Sequence, residues 1–423
     1  MNIANRIKFI LVSSYQQFAQ ALLLLLSILF NPYDLYPEER THMRIVILKS
    51  HLLQALQTIS KAIPSRTPKP ILYGVHLMAV ADHLQVTAYD LEIGIQTLIV
   101  QSEDPNDPTL QIEQEGSIVL NAKYLLDITR KLPHKLIRID VNDLTATIHS
   151  GSATYILNGM DSREYPQLPI ISEEMCLSMS SDVLLTLIEQ TAFATATSEI
   201  RPTLTGVLFS FQEPQLHFIA SDSHRLSIHA VQAETKYAYE KLEAIIPGKS
   251  LIELIKILPA SNVLTDVYIA DNQLLVSFEL TKFYSRLIEG QYPDISRIIP
   301  TTWRTAIEVD PKQFTGSIER AALLARENEN QVIRLYLRRT HIEITSHSPD
   351  IGKVTETVDP ISFEGEDLQI ACNAKFLLDA LKVLNTEQVR IEFSSPGSAF
   401  ILKPSTKERP LHLILPVRFG PNA

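Results

Sequence analysis

One pattern recurs three times in this chain. It reads NAKYLLDITRKL from Asn121, PGKSLIELIKIL from Pro247 and NAKFLLDALKVL from Asn373, with starts 126 residues apart and a lysine always third. A repeat of that length constrains the fold more than any other feature, because a unit of about 125 residues is large enough to bury its own core. It predicts domains in a row rather than a solenoid of small repeats. Each unit also opens with an earlier helical stretch: KSHLLQALQTISKAI from Lys49, SDVLLTLIEQTAFATA from Ser181 and DPKQFTGSIERAALLA from Asp310. Ser181 or Asp182, and Asp310 followed by Pro311, are the expected starts of the latter two helices, since short polar side chains cap exposed helix amides and proline suits the first turn. Both kinds of helix lead into short alternating apolar runs broken by Asn-Asp, Asp-Asn or Pro-Gly turns, the signature of antiparallel hairpins.

The expected class is therefore α+β, with amphipathic helices on one face of antiparallel sheets. Pro-containing loops place the boundaries near 171 and 300. The modules are then 43–171, 172–300 and 301–423, preceded by an extension, 1–42.

Seven residues make nearly two helical turns, so positions i and i+7 share a face. Lys123 and Arg130, Lys249 and Lys256, and Lys375 and Lys382 are such pairs. Leu125, Leu126 and Ile128 fall on other faces of the first copy, so each helix packs on its sheet and turns a basic stripe outward. A single exposed lysine face is ordinarily solvated decoration. Three copies in one register, within a chain of net charge −10, point instead to a polyanion held through its backbone charge without base reading.

Other features exclude more than they suggest. Two cysteines, Cys176 and Cys372, support neither a disulfide framework nor a structural zinc site, and a reducing cytosol fits. No metal-ligand spacing, phosphate loop or nucleophile elbow is present, so no cofactor is expected. Within 1–42, the apolar run Phe18–Phe30 is short for a spanning helix, although Phe9–Phe30 approaches the needed length. Three readings compete for it: a membrane anchor, a signal peptide, or upstream sequence translated from a wrongly chosen start. The third is favoured because a clean strand-and-helix pattern starts at Met43.

The stretches KPILYGVHL, TAYDLEIGI, RPTLTGVLF, ASDSHRLSI, IPGKSLIELIKIL, EGQYPDISRIIP, NAKFLLDAL and LILPVRF occur in this order. From Met43 to Phe419 the chain resembles the β sliding clamp family of bacterial replication, the processivity subunit of DNA polymerase III. The resemblance implies a cytoplasmic, non-catalytic, head-to-tail homodimeric ring of three-domain subunits around duplex DNA, with helices lining the hole. It implies as partners the polymerase α subunit, the clamp loader, and other polymerases and repair factors that carry clamp-binding peptides. Arg66 matches a DNA-contacting arginine of the family and joins the six helix cations as a candidate for DNA contact.

The family's peptide groove maps onto Leu204, Ser221, His224, Arg225 and Leu226, then Pro293, Arg297 and Ile298, then Leu413, Leu415 and Pro416. Leucine, isoleucine and proline would form the pocket, with Arg225 and Arg297 flanking it to meet peptide carbonyls or acids. Thr203 stands where many relatives have an aromatic residue, and Ser223 replaces a frequent glycine. At the subunit interface, Tyr155 and Leu157 of an edge strand would meet Leu323 and Leu324. Two rival functions remain: a membrane-anchored partner-binding protein using residues 9–30, and an enzyme with Asp222 and His224 as an acid–base pair.

Overall fold

The structure, a computed structural model, describes residues 42–102, 104, 109–171, 176–233, 241–270, 272–325, 331–406 and 409–417. The extension up to residue 41 lies outside the described residues, and so does its apolar run.

Among the described residues, six α-helices form three pairs: α1 (Lys49–Ile59) with α2 (Ala122–Lys131), α3 (Ser181–Glu189) with α4 (Gly248–Ile255), and α5 (Pro311–Ala325) with α6 (Ala374–Val383). The pairing follows from sequence. Leu52, Leu56 and Ile59 of α1 recur at helical spacing and are buried, as are Leu377, Ala380 and Leu381 of α6. The amide of Gln313 donates to Asp310 Oδ1 at 2.9 Å, so Asp310 caps α5 as expected. The expectation at Ser181 needs correction. Ser181 is the first helical residue of α3 and is buried, and its hydroxyl donates to the Ser261 carbonyl across the module instead of capping an amide.

Four antiparallel sheets carry these helices, and the two largest cross between modules. An eight-stranded sheet joins the first module to the second, where strand Ile93–Val100 pairs with Thr281–Arg286. A nine-stranded sheet joins the second to the third, where Arg225–Gln232 pairs with Leu411–Ile414. At the two ends lie a five-stranded sheet finishing in Ala153–Asn158 and a four-stranded sheet finishing in Gly352–Val358.

Alternation sets which side of each strand is buried. Val75, Leu77 and Ala79 point inward from one strand, and Phe209 and Phe211 from its counterpart in the second module. One core cluster runs through the first and second modules, a second fills the third, and a smaller third cluster occupies the second junction.

Candidate DNA-facing helices and partner-binding junctions

Lys123, Lys249 and Lys375 each occupy the second position of the second helix in their module, and all three are exposed. A cation there faces the positive end of the helix dipole, which costs about 0.3–1 kcal/mol at each site. The chain accepts this three times over. The same geometry, amides and ammonium together at a helix start, suits a phosphate oxygen. Asn121 and Asn373 cap two of these helices through their side chains, Asn373 Oδ1 accepting from the amides of Lys375 and Phe376 at 2.8 and 3.3 Å. Pro247 starts the remaining one with no side-chain cap.

The second members of the stripes are less uniform. Arg130 lies 3.5 Å from Asp127, and Lys256 lies 2.6 Å from Glu253, just past the end of α4. Lys382 is exposed on α6. Two of the three outer cations are thus partly neutralised by a carboxylate three residues back. Arg66 is exposed in the loop before the 3₁₀ turn Pro70–Tyr73, and that loop is tied down where the Thr67 amide donates to the Tyr73 hydroxyl at 3.0 Å.

The residues mapped to the peptide groove separate into a floor and a rim. Leu204, Leu226 and Leu413 meet in the third cluster with Ile219, Ile228, Ile245 and Tyr292, and all three are buried. Ser221 is buried too; its amide donates to the Tyr292 hydroxyl at 2.9 Å and its own hydroxyl to the Arg225 carbonyl at 2.7 Å. Burial pushes the Tyr292 phenol well above its ordinary range, so it stays protonated. His224, Pro293, Arg297, Ile298 and Leu415 are exposed and Pro416 half-buried. The Leu415 amide donates to the His224 carbonyl at 2.9 Å, which puts the chain end beside the strand turn. Ser223 sits at φ +77°, the left-handed region that glycine enters freely and a serine only with strain.

Arg225 is corrected: it does not flank the groove. It is 8% exposed, with Nε 2.9 Å from Asp222, Nη1 2.7 Å from Asp379 of α6, and Nη2 donating to the Phe193 carbonyl at 2.7 Å. Its guanidinium lies between the Phe193 and Phe376 rings, 5.3 and 4.6 Å from their centroids. Alternation on a strand placed Arg225 inside, and the inside of this strand is the junction between the second and third modules. His224 stacks on the other contact of that junction, with 6.3 Å between its ring and that of Phe376. The acid–base reading of Asp222 and His224 fares no better. Asp222 Oδ1 accepts the amides of His224 and Arg225, and Oδ2 meets Arg225, so the carboxylate serves the turn rather than the imidazole. Sequence reasoning missed Arg201, whose Nη1 donates to Ser223 at 3.2 Å on the rim, and the partners Phe193, Phe376 and Asp379. Only three-dimensional pairing reveals them.

Tyr155 is exposed on the outer strand Ala153–Asn158, but Leu157 packs partly against its own module's core. Between them Ile156 is 69% exposed and presents the larger apolar surface. Leu323 is exposed on α5 and Leu324 half-buried. No described helix is long and apolar enough to cross a membrane.

Three copies of one α+β unit, fused through continuous sheets and each presenting a lysine in the same helical register, define a modular clamp. Sequence profiles of the DNA polymerase III beta subunit match in order: its N-terminal domain at residues 43–169, its central domain at 178–294 and its C-terminal domain at 296–418. The chain belongs to this family. The beta sliding clamp of Bacillus subtilis is 40% identical over 378 residues, 89% of this chain and 100% of that protein. The crystal structure of a DNA polymerase sliding clamp from Bacillus subtilis superimposes with a TM-score of 0.86 at 40% identity, covering 90% of this chain and all of that one. A sliding clamp from Pseudomonas aeruginosa, solved bound to griselimycin, matches at 26% identity and TM-score 0.83, covering 89% of this chain and 100% of its own.

Proposed function

We propose that two copies of this chain close head to tail into a ring around duplex DNA and tether the replicative polymerase as a non-catalytic processivity factor. The observation that carries this reading is a count of strands. The nine-stranded sheet at the second junction consists of four strands from one module and five from the next. The chain's two ends hold the same parts unjoined, a five-stranded and a four-stranded sheet. Pairing Ala153–Asn158 of one copy with Gly352–Val358 of another rebuilds that nine-stranded arrangement. A head-to-tail contact of this kind makes a ring when its rotation closes. Two bare strand edges are otherwise a liability to a soluble chain.

In the proposed ring, with modules divided near 171 and 300, Lys123, Lys249, Lys375 and Lys382, with Arg66, Arg130 and Lys256, face the enclosed DNA. A cationic lining without base contacts leaves neighbouring registers nearly equal in energy, so the ring slides. Retention comes from closure, and the tethered polymerase keeps a high effective concentration at the primer end. Partner peptides of the polymerase α subunit, the clamp loader and repair factors dock across His224, Pro293, Arg297, Ile298, Leu415 and Pro416, above the floor of Leu204, Leu226 and Leu413. The griselimycin-bound relative supports a ligand-accepting surface on this fold.

Loading the protein on nicked circular DNA and then linearising it tests the ring. Release on linearisation, with retention on the circle, is expected. Equal loss from both would refute encirclement.

A further inference from the structure

The turn framework of the second junction recurs at the first, without the Arg225 ion pairs. There the Tyr89 amide donates to the Tyr165 hydroxyl at 2.9 Å, as Ser221 does to Tyr292. Asp90 Oδ1 accepts from Glu92 and Ile93 at 2.8 and 2.6 Å, as Asp222 does from His224 and Arg225. Leu91 takes φ +79° where Ser223 takes +77°. The Arg286 amide donates to the Glu92 carbonyl at 2.9 Å, as Leu415 does to His224. Gly94 stands where Leu226 stands, and Leu168 supplies the missing bulk: a Cβ added at Gly94 would lie 2.3 Å from a Leu168 methyl. The floor is therefore rebuilt with different residues.

Each junction opens into a cleft, the one at the second being about 800 Å³. The cleft at the first, of about 680 Å³, opens beside Leu168 and Tyr284, a volume within the ordinary range for ligand sites. At two matching wall positions the first cleft is the more polar, with His76 and Thr87 in place of Leu208 and Ile219. His76 Nε2 is buried without a hydrogen-bond partner among the described residues, although its ring packs on Tyr165 at 5.5 Å. Burial pulls the imidazole pKa down to about 4, so at neutral pH it is uncharged and has one donor and one acceptor nitrogen. An orphaned buried nitrogen is costly and marks a place for a partner. At the mouth, Ile170 is 99% exposed.

We propose that this cleft between the first and second modules is a second docking site, for a short extended partner peptide bearing an aliphatic side chain and a side-chain amide. The aliphatic group covers Ile170 and Leu168, and the amide reaches His76. The occupant is a peptide because the framework repeats that of the second-junction groove, and the proposal rests on that reading.

The test uses the full-length protein with ¹³C-methyl methionine, reading Met78, which lines the cleft. The probe is a pool of capped tetrapeptides, each with one Asn or Gln and one Leu, Ile or Val. A control pool carries Ala in place of the amide residue. The amide pool is expected to shift the Met78 methyl with a Kd below about 1 mM. Replacing the amide by Ala, or His76→Leu, is expected to weaken binding about tenfold. Leucine is the residue at the matching place of the second module (Leu208), so this variant suits the fold. No Met78 shift, or equal response to both pools, would overturn the proposal. Leu415→Asp separates the two sites: it should leave the Met78 response intact, and loss of that response would place the peptide at the second junction instead. Failure of Leu415→Asp to weaken polymerase-peptide binding would sink the groove reading alone.

Discussion

Removal of the Arg225 side chain is the sharpest perturbation the second junction offers. Arg225→Ala takes away two carboxylate contacts, one bond to the Phe193 carbonyl and the packing against two rings. Breaking a buried ion pair by deleting one partner costs about 3–5 kcal/mol, because the remaining charge stays without compensation. Asp222 retains its two amide donors, so most of the loss falls on Asp379, which pairs with Arg225 from the third module's helix. Asp379→Asn keeps a carbonyl acceptor in place and should cost only about 1–2 kcal/mol. Because three modules need not unfold together, a single unfolding midpoint is a poor readout. Amide exchange of the strands Arg225–Gln232 and Leu411–Ile414 reports the junction directly. Their protection is expected to fall about a hundredfold or more in Arg225→Ala, since each 1.4 kcal/mol is about tenfold. Exchange in the first module should be unchanged. Less than a tenfold effect, or loss spread evenly over all modules, would refute the claim that Arg225 holds the second and third modules together.

Other perturbations follow from the same geometry. Replacing Lys123, Lys249 and Lys375 by Gln should lower the salt slope of DNA binding by about one unit per lysine engaged; an unchanged slope would remove these helices from the interface. Ile156→Glu, at an exposed edge position, should weaken the dimer at least about tenfold while leaving monomer stability nearly unchanged, checked by sedimentation. Deleting the chain from Leu415 onward should abolish polymerase-peptide binding and leave the dimer intact, and unchanged affinity would mean that the groove lies elsewhere. His412 is buried on the strand at the second junction, and burial, with His229 nearby, pulls its pKa down to about 3. The unfolded imidazole binds its proton near 6.5, so the unfolded state takes up protons first as pH falls. Stability from neutral His412 is full above about pH 6.5 and is lost downward toward pH 3, the loss reaching about 2 kcal/mol at pH 5. His412→Gln should flatten that part of the stability profile, and an unaltered pH dependence would show that His412 is not the proton acceptor.

The repeating unit is legible in the residues alone. Three lysine-bearing helices at one interval, the alternating strands between them and the Asp310 cap all follow from local rules of spacing and hydrogen bonding, which act within a few residues. Which lysines remain exposed also followed, because an amphipathic helix has only one face to bury. The tertiary structure decided everything that depends on residues far apart in the chain. The family resemblance assigns Arg225 to the groove rim, yet its partners Asp379 and Phe376 lie more than 150 positions away on another module's helix. Ile156 outranked Leu157 because strand parity at a sheet edge is fixed only once the neighbouring strand is in register. The match between the two junctions, and the polar cleft at the first, likewise emerged from strand pairing between modules, since a sheet that crosses a domain boundary leaves no local mark on either strand.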